Sequence, residues 1–314
     1  MHPLNNNNKV SKPRTSPKDT KKRNPLLFEL KYSKAEPEPL REILKASAHF
    51  SGRGMRNYFF KGLVRVNHRQ AHSDTIIKKG DLIQVYGFSE NIQSLQPETL
   101  PIDIVYEDQH LLVINKPALL PVHPSGRITS GTLANRVAAY FQDNDLKIKV
   151  RPVNRLDQGT SGLIIFAKSA VIQEQISLAI RNHQIARIYY AVVQGQPVAD
   201  AGIINQPIAL IRGIRCIAPS GQPAETHYRV VQRFSQAALL ELSLQTGRTH
   251  QIRIHLQHLG TPIIGDAQYG SKSPFIDRPA LHAGKLQFTL AGWTLPELTA
   301  PLPKDMAQLL THLS

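Results

Sequence analysis

Apolar residues along this chain recur at two spacings, and the change from one to the other marks the elements. Leu40, Ile43 and Leu44 stand at helical spacing, and "SGRGMRNYFFKGLVRVNHRQ" then passes into alternation, with Val64 and Val66 on one side of a strand and Arg65 and Asn67 on the other. Ile83 and Val85 follow the turn at Lys79-Gly80-Asp81. Farther along, "LLVINKP" is a strand stopped by Pro117, and Leu163 to Ala167 is a run apolar enough for a buried strand, reached through a polar turn that holds Gly159 and Gly162. "SAVIQEQISLAIRN" predicts a helix with Ile172, Ile176 and Ile180 on one face and Ser169 as its N-cap. Leu240, Leu242 and Leu244 alternate with Glu241, Ser243 and Gln245 as a strand. "TGRTHQIRIHLQHLGTP" predicts a helix striped by Ile252, Leu256 and Leu259, capped by Thr249 and ended by Gly260 and Pro262.

Charge divides the chain further. Lys9, Lys12, Arg14, Lys18, Lys21, Lys22 and Arg23 face a single acid, Asp19, in a stretch too poor in apolar residues to fold alone, so residues 1–36 are expected to be a disordered basic arm. Residues 37–88 form a compact module, 89–100 a linker, and 101–314 one domain of short strands, polar turns and a few helices. The formal charge of +15 over 314 residues favours a polyanionic partner, a nucleic acid or an anionic membrane. No apolar stretch approaches the ~20 residues needed to span a bilayer, and the first residues hold no hydrophobic signal segment. Cys216 is the single cysteine, which excludes an internal disulfide framework and a cysteine-rich zinc site. A soluble, cytoplasmic protein that faces nucleic acid is the expectation.

Three polar residues sit where an element would hold them rigidly: Asp157, Tyr189 and Arg253. Burial at a strand mouth would favour a neutral Asp157, whereas a nearby arginine would keep its carboxylate ionised as a nucleophile or base. Arg253 can grip both oxygens of a carboxylate. Tyr189 offers a flat face for a base and a phenol for proton transfer. Taken singly, each also fits a structural ion pair or a core tyrosine. Competing motifs fail: "GDAQYGSKS" has Ser271 and Pro274 where a phosphate loop needs lysine and a helix, and His250, His255 and His258 lack the spacing of a zinc site. "GTSGL" lacks the spacing of a hydrolase elbow, so Ser161 is read as a turn residue.

"RLDQGTSGLIIFAK" resembles the signature of the RluA family of RNA pseudouridine synthases. The likeness extends in order through "DQHLLVINKPALLPVHP", "RIYYAVVQG", "AETHYRV", "LQTGRTHQIRIHLQHLGTPIIGDAQYG" and "LHAGKLQF", covering about residues 101–303. It implies an α+β catalytic domain with a mixed, largely antiparallel sheet flanked by helices. It also implies that Asp157 is the catalytic aspartate, Tyr189 the active-site tyrosine and Arg253 the partner within hydrogen-bonding range of the aspartate. Arg155 would hold the RNA backbone as the target uridine turns out, and Arg187, Arg248, His250 and Lys116 would contact substrate. Residues 37–88 resemble an S-four-like RNA-binding domain, a small α/β module, on Gly62, Val64, Val66, Asn67, Gly80, Asp81, Ile83 and Val85, with Arg53, Arg56, Lys61, Arg65 and Arg69 as its RNA-facing cations. The chain departs from the catalytic pattern at Asn154, where the family has histidine, at Leu119, where it has glycine, and at Arg187, where it has lysine. The implied activity is isomerisation of uridine in structured RNA, ribosomal RNA first and transfer RNA as the alternative, by a monomer with no metal or redox cofactor. A noncatalytic RNA-binding or ribosome-assembly protein on the same fold is the rival reading.

Overall fold

The computed structural model describes residues 26–46, 52–87, 95–126, 128–290 and 293–314. Residues 1–25 of the expected arm, residues 89–94 of the expected linker and the side chain of Arg53 lie outside the described residues.

The N-terminal unit runs β1 (Leu26–Lys31), β2 (Glu38–Pro39), α1 (Leu40–Ala46), α2 (Gly52–Phe60), β3 (Val64–Val66), β4 (Arg69–Gln70), β5 (Ile76–Ile77) and β6 (Leu82–Tyr86). Strands β1-β6-β3-β4 form an antiparallel sheet in that order. Strand β1 corrects the extent of the arm. It pairs along β6 from Leu26 opposite Tyr86 to Lys31 opposite Leu82, and Tyr32 is buried, so regular structure begins well before residue 36. Helix α1 buries Leu40, Ile43 and Leu44, as their spacing predicts. The Gly-Asp turn before β6 is fastened to Asn67: Asp81 accepts from Lys78 N and Asn67 Nδ2, both at 2.8 Å, and Asn67 Oδ1 accepts from Leu82 N at 2.9 Å. Those bonds favour the ionised acid and draw the Asp81 pKa down.

The remainder runs β7 (Ile104–Glu107), β8 (Leu111–Lys116), α3 (Leu133–Asp143), β9 (Ser161–Ala167), α4 (Ala170–Arg181), β10 (Ile185–Gln194), β11 (Ala201–Asn205), β12 (Ile208–Ile211), β13 (Ile214–Ile217), β14 (Glu225–Arg233), β15 (Ala237–Leu244), α5 (Gln251–His258), β16 (Leu281–Leu290), β17 (Trp293–Thr299) and α6 (Lys304–Leu313). A nine-stranded sheet takes the order β11-β14-β15-β10-β16-β9-β8-β7, with β17 paired to β16. All pairs are antiparallel except β9 with β16, which touch only at Ser161–His282 and Gly162–Ala283 before β17 takes over that side of β16 from Lys285 onward. The sheet is mixed and largely antiparallel, and helices cover both of its faces. Helices α3, α5 and α6 contribute Val137, Phe141, Ile252, Leu256, Met306 and Leu309 to one core, while α4 packs Ile176 and Ala179 into a second.

Strand β9 is buried along its whole length, as its apolar run predicts. Gly162 makes the parallel contact possible: at φ 108° it occupies a region closed to other residues, and a Cβ there would lie 2.2 Å from Ala283 O. Ser169 caps α4 by accepting from Ile172 N at 3.2 Å. The second half of the expected linker is fastened to α3 and the turn before it, with Asn135 Nδ2 donating to Gln96 O at 2.8 Å and Glu98 Oε1 accepting from Gly131 N at 2.6 Å.

Candidate active site

Asp157 sits in the turn that leads into β9, closed by Thr160 N donating to Asp157 O at 3.0 Å. Buried groups brace this turn from behind. Lys116 Nζ, at the end of β8, donates to Pro117 O, Leu120 O and Gln158 O at 2.9, 2.9 and 3.2 Å. Arg278 Nη1 donates to Gly159 O at 3.2 Å, while its Nε and Nη2 grip Asp305 at 2.7 and 2.8 Å. His282 Nε2 donates to Ala300 O at 3.1 Å, which leaves Nδ1 to accept the Ser161 hydroxyl at 2.9 Å. Asn154, which stands where the family has histidine, accepts from Ile165 N at 2.9 Å through Oδ1 and so ties the turn to the strand it feeds.

Lys116 was expected to touch substrate, and this is corrected: the side chain is wholly buried, and its three donors are taken by carbonyls. Burial pulls its pKa down to about 7, with the Arg278 charge adding to the shift and Asp157 opposing it.

In front of the turn lies a cleft of about 210 Å³ whose lining includes Asp157, Arg155, Arg187, Tyr189, Arg248, His250 and Arg253. Strand β10 delivers Arg187 and Tyr189 on one face, two residues apart. Tyr189 is 5% exposed, and burial raises its phenol pKa, so it presents a protonated hydroxyl and a ring to the cleft. Arg187 is buried to 8% exposure; its Nη2 reaches Leu244 O at a long 3.4 Å, and its Nε has no partner among the described residues. Arg155 is exposed at the rim. Arg248 Nε is tied to Pro223 O at 3.0 Å.

Helix α5 does not start as expected. His250 precedes it at φ 60° with no side-chain cap, and Thr249 does not serve as one. Gln251 closes the loop instead, its Oε1 accepting from Arg248 N at 2.9 Å and its Nε2 donating to Glu225 O at 2.9 Å. This geometry puts His250 Nε2 3.8 Å from Asp157 Oδ2. Burial lowers the His250 pKa, as does the Arg253 charge, and Asp157 only partly offsets them, so near neutral pH the imidazole is uncharged.

Arg253 brings a further correction. Its Nη1 lies 3.6 Å from Asp157 Oδ2, an ion-pair distance longer than a hydrogen bond. The bidentate partner is Asp266, fully buried, which accepts from Nε at 2.6 Å and from Nη2 at 2.7 Å. The Tyr269 ring lies 4.8 Å from the guanidinium carbon, and its hydroxyl meets His250 Nδ1 at 3.0 Å. Burial works against the arginine's charge, but Asp266 outweighs it, and the pKa stays above the ordinary arginine value.

Sequence reasoning missed Asp266, Tyr269 and Arg278. The first two lie inside "GDAQYG", the segment set aside as a failed phosphate loop, and no periodicity ties either to Arg253. Of the three histidines, His255 is buried, with both nitrogens taken up by Thr226 Oγ1 and Gln206 O. Among the described residues no group of His, Cys, Asp and Glu could hold a metal ion, and no helix is long and apolar enough to cross a membrane. The remaining expected cations, Arg56, Lys61, Arg65 and Arg69, are exposed on the N-terminal unit, where Arg65 stacks 5.0 Å over the Tyr86 ring.

Residues 110–258 match the family described as RNA pseudouridylate synthase. An uncharacterized RNA pseudouridine synthase of Bacillus subtilis, YhcT, is 38% identical over 284 residues, covering 88% of this chain and 93% of its own length. Ribosomal large subunit pseudouridine synthase D of Vibrio parahaemolyticus is 34% identical, with 85% and 88% covered. Among solved structures, human RNA pseudouridylate synthase domain containing 4 superposes with a TM-score of 0.57 at 27% identity, covering 67% of this chain and 92% of that one.

Proposed function

The chain belongs to the RNA pseudouridine synthases of the RluA type, isomerases that act on RNA, and from that premise we propose that it converts uridine to pseudouridine in large-subunit ribosomal RNA with Asp157 as the reacting carboxylate. The observation that carries this reading is the convergence of Asp157, Tyr189 and Arg253 on one cleft from three distant parts of the chain. The substrate rests on relatives named for the ribosomal large subunit.

The reaction breaks the bond between the sugar's anomeric carbon and N1, and makes one from that carbon to C5 of the same uracil; the C5 proton is lost and N1 regains one. Asp157 acts either by attacking the anomeric carbon or by removing the neighbouring sugar proton, with the Arg253 guanidinium 3.6 Å from its carboxylate in both cases. Tyr189 gives the detached uracil a face to rest on while it turns. Arg187, with donors to spare, offers hydrogen bonds to a phosphate or a uracil carbonyl. Arg155 grips the backbone as the nucleotide leaves its stack. The N-terminal unit, read as an S-four-like module, adds a basic face that holds the surrounding RNA.

The test is to map pseudouridine in total RNA from a strain with the gene, a strain without it and a strain carrying Asp157→Asn. One or more ribosomal sites should vanish in the last two. Loss confined to transfer RNA would reassign the substrate, and an unchanged map would overturn the reading.

A further inference from the structure

Leu119 stands at φ 62°, in the left-handed region that a leucine enters only at a cost, and its side chain is 52% exposed. Glycine would incur neither penalty, and the family pattern that this stretch resembles has glycine here. The side chain joins none of the buried apolar clusters among the described residues, so the fold gains nothing visible from it. Yet its backbone is held firmly. Leu119 O accepts from Gln158 Nε2 at 3.2 Å, and Lys116 Nζ ties Leu120 O to Gln158 O. The loop that carries Leu119 is therefore braced to the turn that carries Asp157, one residue from the carboxylate, with exposed Arg155 on the same turn segment.

A strained, exposed apolar residue whose backbone is bonded to the residue next to a reacting group calls for a function outside the fold. We propose that Leu119 is a wedge that packs against the nucleobase next to the target uridine and takes up part of the space the uridine leaves as it turns out. This rests on the reading of the chain as a uridine-isomerising enzyme of structured RNA. Extrusion costs stacking and pairing energy, least where the base is already unpaired. Proteins that open base steps insert leucine, isoleucine, methionine or phenylalanine between them. Arg155 can hold a phosphate but offers no apolar surface; Leu119 supplies it.

The experiment uses the full chain and two RNAs built on the uridine found by mapping, one with the uridine paired in its stem and one with it in an open loop. 2-Aminopurine placed beside the uridine reports unstacking. Leu119→Gly and Leu119→Asn both accept the backbone conformation and remove the apolar reach, whereas Leu119→Met keeps much of it. The first two should keep or raise the melting temperature and lower kcat/KM on the paired RNA by about tenfold, equivalent to ~1.4 kcal/mol. They should leave the open RNA within about twofold and blunt the 2-aminopurine signal, and Leu119→Met should stay near wild type. Equal loss on both RNAs, no loss on either, or a lower melting temperature for Leu119→Gly would overturn the wedge while leaving the enzyme reading intact. A wild-type protein inactive on both RNAs would bring down the reading beneath it.

Discussion

Arg253 commits two of its nitrogens to the carboxylate of Asp266 and turns the third, Nη1, toward Asp157 at 3.6 Å. One guanidinium thus links a buried structural acid to the candidate catalytic one. The planar fork explains the choice of arginine, since a lysine ammonium is a point charge and cannot hold both acids in fixed directions.

Asp266→Asn tests that linkage. A buried pair broken on one side leaves an uncompensated charge, at a loss of about 3–5 kcal/mol. Urea unfolding should register that loss, and kcat should fall more than KM changes, because Arg253 loses its anchor while the other cleft arginines, Arg155, Arg187 and Arg248, stay in place. An unfolding midpoint equal to wild type would show that Asp266 does not anchor it.

Lys116 gives a pH-dependent signature. Its pKa is about 7 in the folded chain, against ~10.4 for an unfolded lysine. Between those values the unfolded chain holds a proton that the folded one lacks, so unfolding takes up a proton and stability rises with pH. Relative to Lys116→Met, the wild type should gain up to ~1.4 kcal/mol per pH unit from pH 7 toward 10. Measuring both proteins by urea unfolding cancels the titration of groups they share. A flat difference would mean that the ammonium keeps its proton in the three-carbonyl cage.

Arg187 separates binding from folding. Among the described residues the fold uses this buried guanidinium for one long bond to Leu244 O, and its Nε has no partner there. Arg187→Met keeps the apolar stem, removes a poorly satisfied buried charge and should leave the melting temperature unchanged or higher. Its KM for RNA should rise by roughly tenfold or more, in line with a lost charged hydrogen bond of ~1.5–3 kcal/mol. A protein that loses stability but not affinity would put Arg187 among the structural residues.

The sequence made some of this legible and not the rest, for physical reasons. Strand β9 and helix α4 could be read because a buried strand must be apolar throughout and a capped amphipathic helix must repeat its isoleucines. Strand β1 was hidden by its neighbours: Phe28 and Leu30 alternate with Glu29 and Lys31, but the segment adjoins a strongly basic stretch whose composition dominates a reading by charge. At the site, Asp157, Tyr189 and Arg253 could be named from residue type and motif. The groups that anchor Arg253 and brace the Asp157 turn are a matter of tertiary contact. Arg278 and Asp305 meet across 27 positions, and Asp266 reaches Arg253 after a change of chain direction that no period records. Lys116 misled because a lysine in a family motif looks like a substrate contact, and only burial shows it facing inward.

The N-terminal unit yields the last expectation. Lys61, Arg65 and Arg69 are exposed, and the stacking of Arg65 on Tyr86 fixes the place of one of these charges. If this face tracks RNA phosphates, each lost contact should release fewer counterions, and the slope of log affinity against log salt should shrink by about one unit for each residue changed to alanine. None of the three lines the cleft, so kcat at saturating RNA should not move, and the weakening should be the same for RNAs of different sequence. Filter binding from 50 to 300 mM salt, with single-turnover kinetics at saturation, separates the two effects. A triple alanine variant with the wild-type salt slope would remove this face from the RNA path and leave the cleft arginines to account for the affinity.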